Sequence, residues 1–479
     1  MSTEKKTELA QDFLDSQKIS YNKIARHCSG RSSAWHPKIF ITTFGCQMNK
    51  ADSELSLGLL LEKGYRLAPD EASADVILFN TCSVRQRAED KVYSILAQLK
   101  RRKSENPELL IGVLGCMAQK EAREFFKRFP HVDMVCGTRM FDKLPDLLDR
   151  LRDNGEHLLA VGEEDNVTYY PKHRPRGLRP YQAFVTVIRG CDNECSYCIV
   201  PSVRGHEMSR PVEEIVEEVG SLVQDGVKEV TLLGQNINTY GNDLRGETGL
   251  GGLLEAVHDV KGIERIRFVT SHPKDMTPDT LQSMSALPKL CRHLHMPVQS
   301  GSDRILKKMQ RGHTAEYYVK LIEEARRLMP DVTIASDFIV GFPGETTADF
   351  EDTVRLMNTV RFRNSFIFKY SPRPGTPAAS LPDDVPLEVK KQRNQILLKL
   401  QSEISLEENR RMAGKVVEVL VEGPSKSDER RLVGRTPQND IVVFEGPLDL
   451  RGETVSVEVY DATALTLFGR LSAASSSEN

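Results

Sequence analysis

The chain has no run of eighteen or more apolar residues, so no membrane span is expected. Its first residues, MSTEKKTELAQDF, lack the apolar core of a secretory signal. Charge of one sign is lacking too: 65 Lys and Arg stand against 68 Asp and Glu, for a net charge of -3. A polyanion-binding field over the whole surface is thereby excluded, and any nucleic-acid contact must come from local basic patches. Internal repeats are absent, and the only biased tract is the Ser-rich end, SAASSSEN. What remains is the expectation of a cytoplasmic globular protein. Its 479 residues suffice for about three domains at roughly 100–200 residues each. Nine cysteines in a reducing compartment argue for metal or redox chemistry over disulfides.

Hydrophobic patterning divides the chain. Residues 1–36 are polar and read as a tail. Residues 37–153 carry a βα rhythm, with strands KIFITTFGC, VILFNTC, LLIGVLGC and the short VDMVCG. Helical stretches are expected over Ser53–Lys63 and Ala88–Arg102. Continuous apolar strands alternating with helices predict a parallel sheet covered on both faces. Cys46, Cys82 and Cys116 fall at the carboxyl ends of three of these strands, the edge where open α/β sheets bind ligands. They are spaced C-x35-C-x33-C, yet the fold can bring them together. Residues 154–176 read as a linker running into the Pro-rich, basic PKHRPRGLRP.

Residues 177–408 hold six further strand candidates: FVTVIRGC, EVTLLGQN, RIRFVTSHP, HLHMPVQS, TIASDFIVGFPG and SFIFKYSPRPG. Six βα units predict a partial or complete α/β barrel, with function at the strand carboxyl ends. Residues 411–475 give five short strands parted by turn residues, which predicts a small β-barrel of OB-like type. The fold class is therefore α/β, with a small all-β domain at the end.

The chemistry concentrates in RGCDNECSYCIVPSVRG. Cys191, Cys195 and Cys198 are spaced C-x3-C-x2-C directly after the first strand of the second series. Thiolates select zinc, copper(I) or iron–sulfur clusters. A structural zinc needs four ligands, so a zinc reading must borrow a distant one. Three ligands suit a [4Fe–4S] cluster with one iron open. S-adenosylmethionine (SAM) offers an amino and a carboxylate group to that iron, and one electron then cleaves its sulfonium bond.

In this strand context the spacing is the signature of the radical-SAM superfamily. RGCDNECSYCIVPSVRGHEMSR, LLGQNINTYG, VTSHP, HLHMPVQSGSDRILKKMQRGHT, DFIVGFPGET and YSPRPGTPA together resemble the methylthiotransferase family. TFGCQMN, NTCSVRQRAEDK and GVLGCMAQ are similar to that family's N-terminal domain, and the last sixty residues to its TRAM domain. The resemblance runs from about Lys38 to about Leu471. It implies two [4Fe–4S] clusters: a SAM-cleaving one on Cys191, Cys195 and Cys198, and an auxiliary one on Cys46, Cys82 and Cys116. It implies two SAM per turnover, one methylating a sulfur at the auxiliary cluster and one yielding a 5′-deoxyadenosyl radical. Within the family the motifs are most similar to the branch that converts dimethylallyladenosine beside the tRNA anticodon to its 2-methylthio form. Rival expectations are methylthiolation of threonylcarbamoyl-adenosine in tRNA, methylthiolation of an aspartate in a ribosomal protein, and a non-enzymatic cluster protein that binds tRNA.

The resemblance also places Tyr197 near the SAM adenine and Gly234 and Gln235 near its amino group. Gln299, with Ser300 and Gly301, and Asp337 are expected to shape the same pocket, although Gly and Pro there equally serve turns. No catalytic residue is assigned beyond the clusters. His272 and His295 lie near strand ends and receive no catalytic role; Cys28, Cys136 and Cys291 are read as structural. Arg85, Arg87, Arg204, Arg361, Arg363 and the linker arginines are the basic groups offered to tRNA phosphates. The expected partners are tRNA and a reducing electron donor, and a monomer away from membranes is expected.

Overall fold

The computed structural model describes residues 36–83, 86–162, 180–244, 246, 248–426 and 428–472. Cys28, Arg85, the linker arginines and all of the expected tail but His36 lie outside the described residues, as does the side chain of Arg87. Contacts divide the chain into two units: Met1–Pro180 with Arg189–Asp192 and Ile199–Met208, and Tyr181–Ile188 with Asn193–Cys198 and Ser209–Asn479.

In the first unit, β1 (Lys38–Thr43), β2 (Arg66–Leu67), β3 (Val76–Thr81), β4 (Leu110–Gly115), β5 (Met134–Cys136) and β6 (Leu158–Ala160) form one sheet in the order β2-β1-β3-β4-β5-β6. Every pairing is parallel. Alternation along the strands serves two apolar layers. Ile39, Ile41, Val76, Leu78 and Leu114 pack against Leu55 and Leu59 of helix α1 (Gln47–Glu62). Ile77, Phe79, Ile111 and Val113 pack against Val92, Leu96 and Leu99 of helix α2 (Gln86–Glu105). β3 is buried along its whole length, as an apolar run covered on both faces should be.

Helix α1 begins at Gln47, six residues before the expected Ser53. Its first turns are polar yet buried: Asn49, Asp52 and Ser53 are fully inside. A polar residue facing inward hides the apolar stripe that marks a helix in sequence, and the expected boundary slipped for that reason. β2 and β6 are two and three residues long and left no periodic signal.

In the second unit, β7 (Gln182–Thr186), β8 (Glu229–Leu233) and β9 (Arg265–Val269) form one parallel sheet. β10 (His293–His295), β11 (Thr333–Val340) and β12 (Asn364–Lys369) form another. An isolated parallel bridge, Ile266 to Leu290, carries the curve from one to the other. The six strands thus follow one another in chain order as a partial barrel. Its helices cover the outside with apolar residues at helical spacing. Tyr318, Leu321, Ile322 and Ala325 are the buried face of helix Ala315–Leu328, which starts where the Thr314 hydroxyl accepts from the Tyr317 N–H at 3.1 Å.

After the long helix Leu387–Arg410, strands β13 (Val416–Pro424), β14 (Arg431–Arg435), β15 (Ile441–Glu445), β16 (Thr454–Ala462) and β17 (Leu467–Leu471) close into a barrel in the order β13-β14-β15-β17-β16. Its core is Val419, Val421, Leu432, Val442, Phe444, Val457 and Leu467. This barrel rests on the amino ends of the partial-barrel strands. Arg265 donates to Glu418 at 2.6 Å, Arg267 to the Thr436 carbonyl at 2.7 Å, and the Thr333 hydroxyl to the Gln438 carbonyl at 2.7 Å. Arg363 forms a fork on Asp440, 2.7 and 2.9 Å. No described helix is long and apolar enough to cross a membrane.

Candidate cluster and cofactor sites

The sheet order of the first unit makes β1, β3 and β4 neighbours, and all run the same way. Cys82 and Cys116 directly follow β3 and β4, and Cys46 stands three residues past β1. Register alone therefore collects the three cysteines on one edge. Two glycines make the approach possible. Gly45 has φ +149°, and a Cβ there would lie 2.7 Å from the Cys82 Cβ; Gly115 has φ +94°, and a Cβ there would lie 2.5 Å from the Thr81 carbonyl. Beneath them lies a carboxamide lattice. The Cys46 thiol donates to Asn49 Oδ1 at 3.3 Å, Asn49 Nδ2 donates to Asn80 Oδ1 at 3.1 Å, and Asn80 Nδ2 donates to Ser53 Oγ at 3.0 Å.

The thiols feel one another. A hydrogen bond from Cys82 draws the Cys46 thiol down to about 6, and the Arg204 charge adds to it. Burial pushes Cys116 up, while Arg204 opposes. Arg204 itself is buried, with Nη2 on Asp52 Oδ2 at 2.7 Å. Burial works against its charge, but Asp52, Cys116 and Cys46 together hold the guanidinium above its ordinary value. Three convergent thiols facing a buried cation are a donor set that fits an anionic iron–sulfur group.

The C-x3-C-x2-C loop is shared between units: Cys191 lies in the first, Cys195 and Cys198 in the second. The Cys191 N–H donates to the Gly205 carbonyl at 3.1 Å. In the second unit Arg311, buried, donates Nη1 to Cys195 Sγ at 3.3 Å and Nη2 to the Pro297 carbonyl at 2.5 Å. His272 Nδ1 accepts from the Lys274 N–H at 3.2 Å, which leaves the ring's proton on Nε2, 3.9 Å from Cys195 Sγ. Burial and the Arg311 charge hold His272 far below the usual imidazole range, so it stays neutral. Tyr197 packs beside Ile305, Met309, Phe342 and Tyr370. Burial raises its hydroxyl well above the ordinary value, with Cys195 and Cys198 adding to the rise and Arg311 opposing.

The remaining expected residues line the carboxyl ends of the partial-barrel strands. Gly234 follows β8, where a Cβ would lie 2.5 Å from Ile188 Cγ2. Gln235 Oε1 and Asn236 Oδ1 are buried acceptors without a hydrogen-bond partner among the described residues. Two orphaned carboxamide oxygens fit the ammonium group of SAM, a donor. Gln299 holds φ +76°, unusual for a non-glycine, between hydrogen bonds to the Asp337 carbonyl and from the Ile339 N–H. Asp337 Oδ1 stands 3.3 Å from His295 Nε2. Among the described residues no group of three or more His, Cys, Asp or Glu is spaced to grip a single metal ion.

Sequence reasoning missed several of these groups. Asn49, Asp52 and Asn80 sit beside the cysteine motifs but carry no spacing signal. Arg311 lies inside MQRGHT, where no spacing marks it out. Asp275 was likewise passed over; its Oδ2 accepts from Asn236 Nδ2 at 2.7 Å. Conversely, three arginines offered to tRNA are paired with carboxylates of the protein. Arg204 is buried on Asp52, Arg361 pairs with Glu407 and Glu408, and Arg363 pairs with Asp440. Cys136 is buried in the apolar core of the first unit, and Cys291 is buried near Arg267 and Glu229, where burial pushes its thiol up to about 11.

Comparison with known proteins decides the family. Residues 38–137 match the model described as Uncharacterized protein family UPF0004, residues 185–357 the Radical SAM superfamily, and residues 410–472 the TRAM domain. The tRNA-2-methylthio-N(6)-dimethylallyladenosine synthase of Carboxydothermus hydrogenoformans is 48% identical over 436 residues, covering 90% of this chain and 98% of the relative. The synthase of the same name from Moorella thermoacetica is 48% identical over 435 residues, 90% of this chain and 97% of the relative. The chain belongs to the tRNA-2-methylthio-N(6)-dimethylallyladenosine synthase family. Akkermansia muciniphila supplies a further synthase at 45% identity over 451 residues. Among solved structures, the radical S-adenosylmethionine methyltransferase TsrM of Kitasatospora setae is similar in fold, with a TM-score of 0.51 at 14% identity. That match covers 69% of this chain and 72% of TsrM. With its parallel sheet, partial barrel and closing small barrel, the synthase family member has the α/β architecture expected from its sequence.

Proposed function

We propose that this chain is a radical-SAM methylthiotransferase that converts dimethylallyladenosine beside the tRNA anticodon to its 2-methylthio derivative. The observation that carries this reading is the presence of two cysteine sets at strand carboxyl ends, each beside a buried arginine: Arg311 donates to Cys195 Sγ, and the charge of Arg204 acts on Cys46 and Cys116. Cys46, Cys82 and Cys116 hold one [4Fe–4S] cluster, and Cys191, Cys195 and Cys198 the other. When bound, these groups supply one-electron cleavage of the SAM sulfonium bond and the sulfur that is transferred.

The chain's own residues bind and orient. Gln235 and Asn236 accept from the SAM ammonium group. Tyr197, Gln299 and Asp337 bound the rest of that pocket. Buried Arg311 and neutral His272 donate toward Cys195 and keep water from its sulfur. The closing barrel sits a strand length away, about 17 Å for five residues, at the opposite end of the same strands. It serves to grip tRNA rather than to line the cofactor pocket. We read the domains as 37–153 for the N-terminal sheet, 177–408 for the radical-SAM core and 411–475 for the TRAM barrel, with 154–176 as linker. The protein works in the cytoplasm as a monomer, fed by a low-potential electron donor. The relatives' names favour dimethylallyladenosine over threonylcarbamoyl-adenosine or a ribosomal aspartate.

Mass spectrometry of nucleosides from bulk tRNA tests the substrate. Cells lacking the gene should lose 2-methylthio-dimethylallyladenosine and accumulate the unthiolated precursor, and complementation should reverse both. An unchanged nucleoside profile refutes the assignment.

A further inference from the structure

The two cysteine sets each have a buried guanidinium, but the guanidinium charges are compensated differently. Arg311 is 4% exposed, and among the described residues its partners are the Cys195 sulfur and the Pro297 carbonyl, with no carboxylate in ion-pair range. Arg204 is 7% exposed and shares its charge with Asp52, which is 0% exposed. Asp52 Oδ1 faces a second cation, Arg189 Nη2, at 3.5 Å. A buried carboxylate without a fully satisfied shell is costly. Its Oδ1 has no hydrogen bond among the described residues. Its closest partner is Arg204.

That partner is held in place from several sides. Arg204 ends the short helix Val200–Arg204. The Thr138 hydroxyl donates to the Val203 carbonyl at 2.6 Å, and Val203 and Ile199 pack on Cys116. Asp52 thus receives a guanidinium whose backbone is already fixed, and its carboxylate sets how the fork turns toward the sulfurs of Cys116 and Cys46. Cluster potentials respond to net charge and to hydrogen bonds on the ligand sulfurs. Buried charges act more strongly than exposed ones because water screens them less.

We propose that Asp52 and Arg204 form a positioning and charge-setting pair for the Cys46, Cys82 and Cys116 site. Arg204 brings its charge to these sulfurs, and Asp52 offsets that charge so that this site is harder to reduce than Arg204 alone would make it. This inference rests on reading both sites as cluster sites.

The test is a redox titration of the full chain carrying Cys191→Ala, Cys195→Ala and Cys198→Ala, so that one cysteine set remains. After reconstitution with iron and sulfide, the cluster is titrated with dithionite and mediators, without SAM, and followed by electron paramagnetic resonance. Asp52→Asn should shift the midpoint to a more positive potential. Arg204→Gln should shift it to a more negative one, and Arg204→Lys, which keeps the charge but loses the fork, should shift it less. Should Asp52→Asn hold no iron, the two Arg204 variants carry the test. Parental midpoints in the variants at parental iron content, or shifts of the opposite sign, overturn the proposal. If the parent chain itself binds no iron, it is the cluster reading of the site that fails.

Discussion

Cys198→Ala abolishes methylthio transfer, halves the cluster iron of the reconstituted protein and leaves tRNA affinity unchanged. The loss follows from ligand count. On the proposed reading three thiolates leave one iron open for SAM, and removing one of the three would leave a second iron without a ligand and the cluster without a stable hold. Cys198 is the member of its set whose backbone N–H donates to the Cys195 carbonyl, at 3.0 Å. The turn it closes survives the substitution, because that hydrogen bond is backbone to backbone. The small barrel, proposed to grip tRNA, lies at the other end of the strands, so RNA binding should be spared. Iron and sulfide assays, a filter-binding isotherm with tRNA and nucleoside mass spectrometry read the three outcomes separately. Retained activity would remove Cys198 from the site.

Arg363→Ala destabilises the second unit by about 3–5 kcal/mol, the usual cost of stranding one member of a buried ion pair. The Arg363 and Asp440 side chains are 12% and 8% exposed, and the fork between them is bidentate. Truncation leaves Asp440 inside without its counter-charge. The Thr436 hydroxyl still accepts from the Asp440 N–H at 3.1 Å, but it does not neutralise the carboxylate. Urea unfolding followed by circular dichroism should show an earlier transition in Arg363→Ala. Adding Asp440→Asn should recover part of the loss, since a neutral carboxamide is cheaper to bury. A surface-like change below about 0.5 kcal/mol would contradict the buried-pair account.

The architecture was legible where apolar periodicity carries it. β3 and β4, buried on both faces, and helix α2, expected over Ala88–Arg102 and found over Gln86–Glu105, were visible as written patterns. The cysteine positions were legible as well, because a strand followed by a cysteine repeats three times and parallel pairing stacks those ends. What escaped was polar and buried. Asp52 and Asn49 look like a solvated helix start, and only the fold reveals that they face inward. Arg204 and Arg363 resemble surface charges suited to phosphate, yet each meets a carboxylate distant in sequence, at Asp52 and Asp440. A one-dimensional reading cannot pair residues 152 and 77 positions apart. His272 and Arg311 escaped for the same reason, since their nearness to Cys195 is set by the curvature of the partial barrel.

The most direct test of the central claim is a reaction in vitro. The reconstituted full-length protein is mixed with SAM, a low-potential reductant and tRNA bearing dimethylallyladenosine, and the nucleosides are then analysed by mass spectrometry. The account predicts 2-methylthio-dimethylallyladenosine, with two SAM consumed for each one formed. SAM consumption with no methylthio product on that base, from protein carrying both clusters, would contradict it.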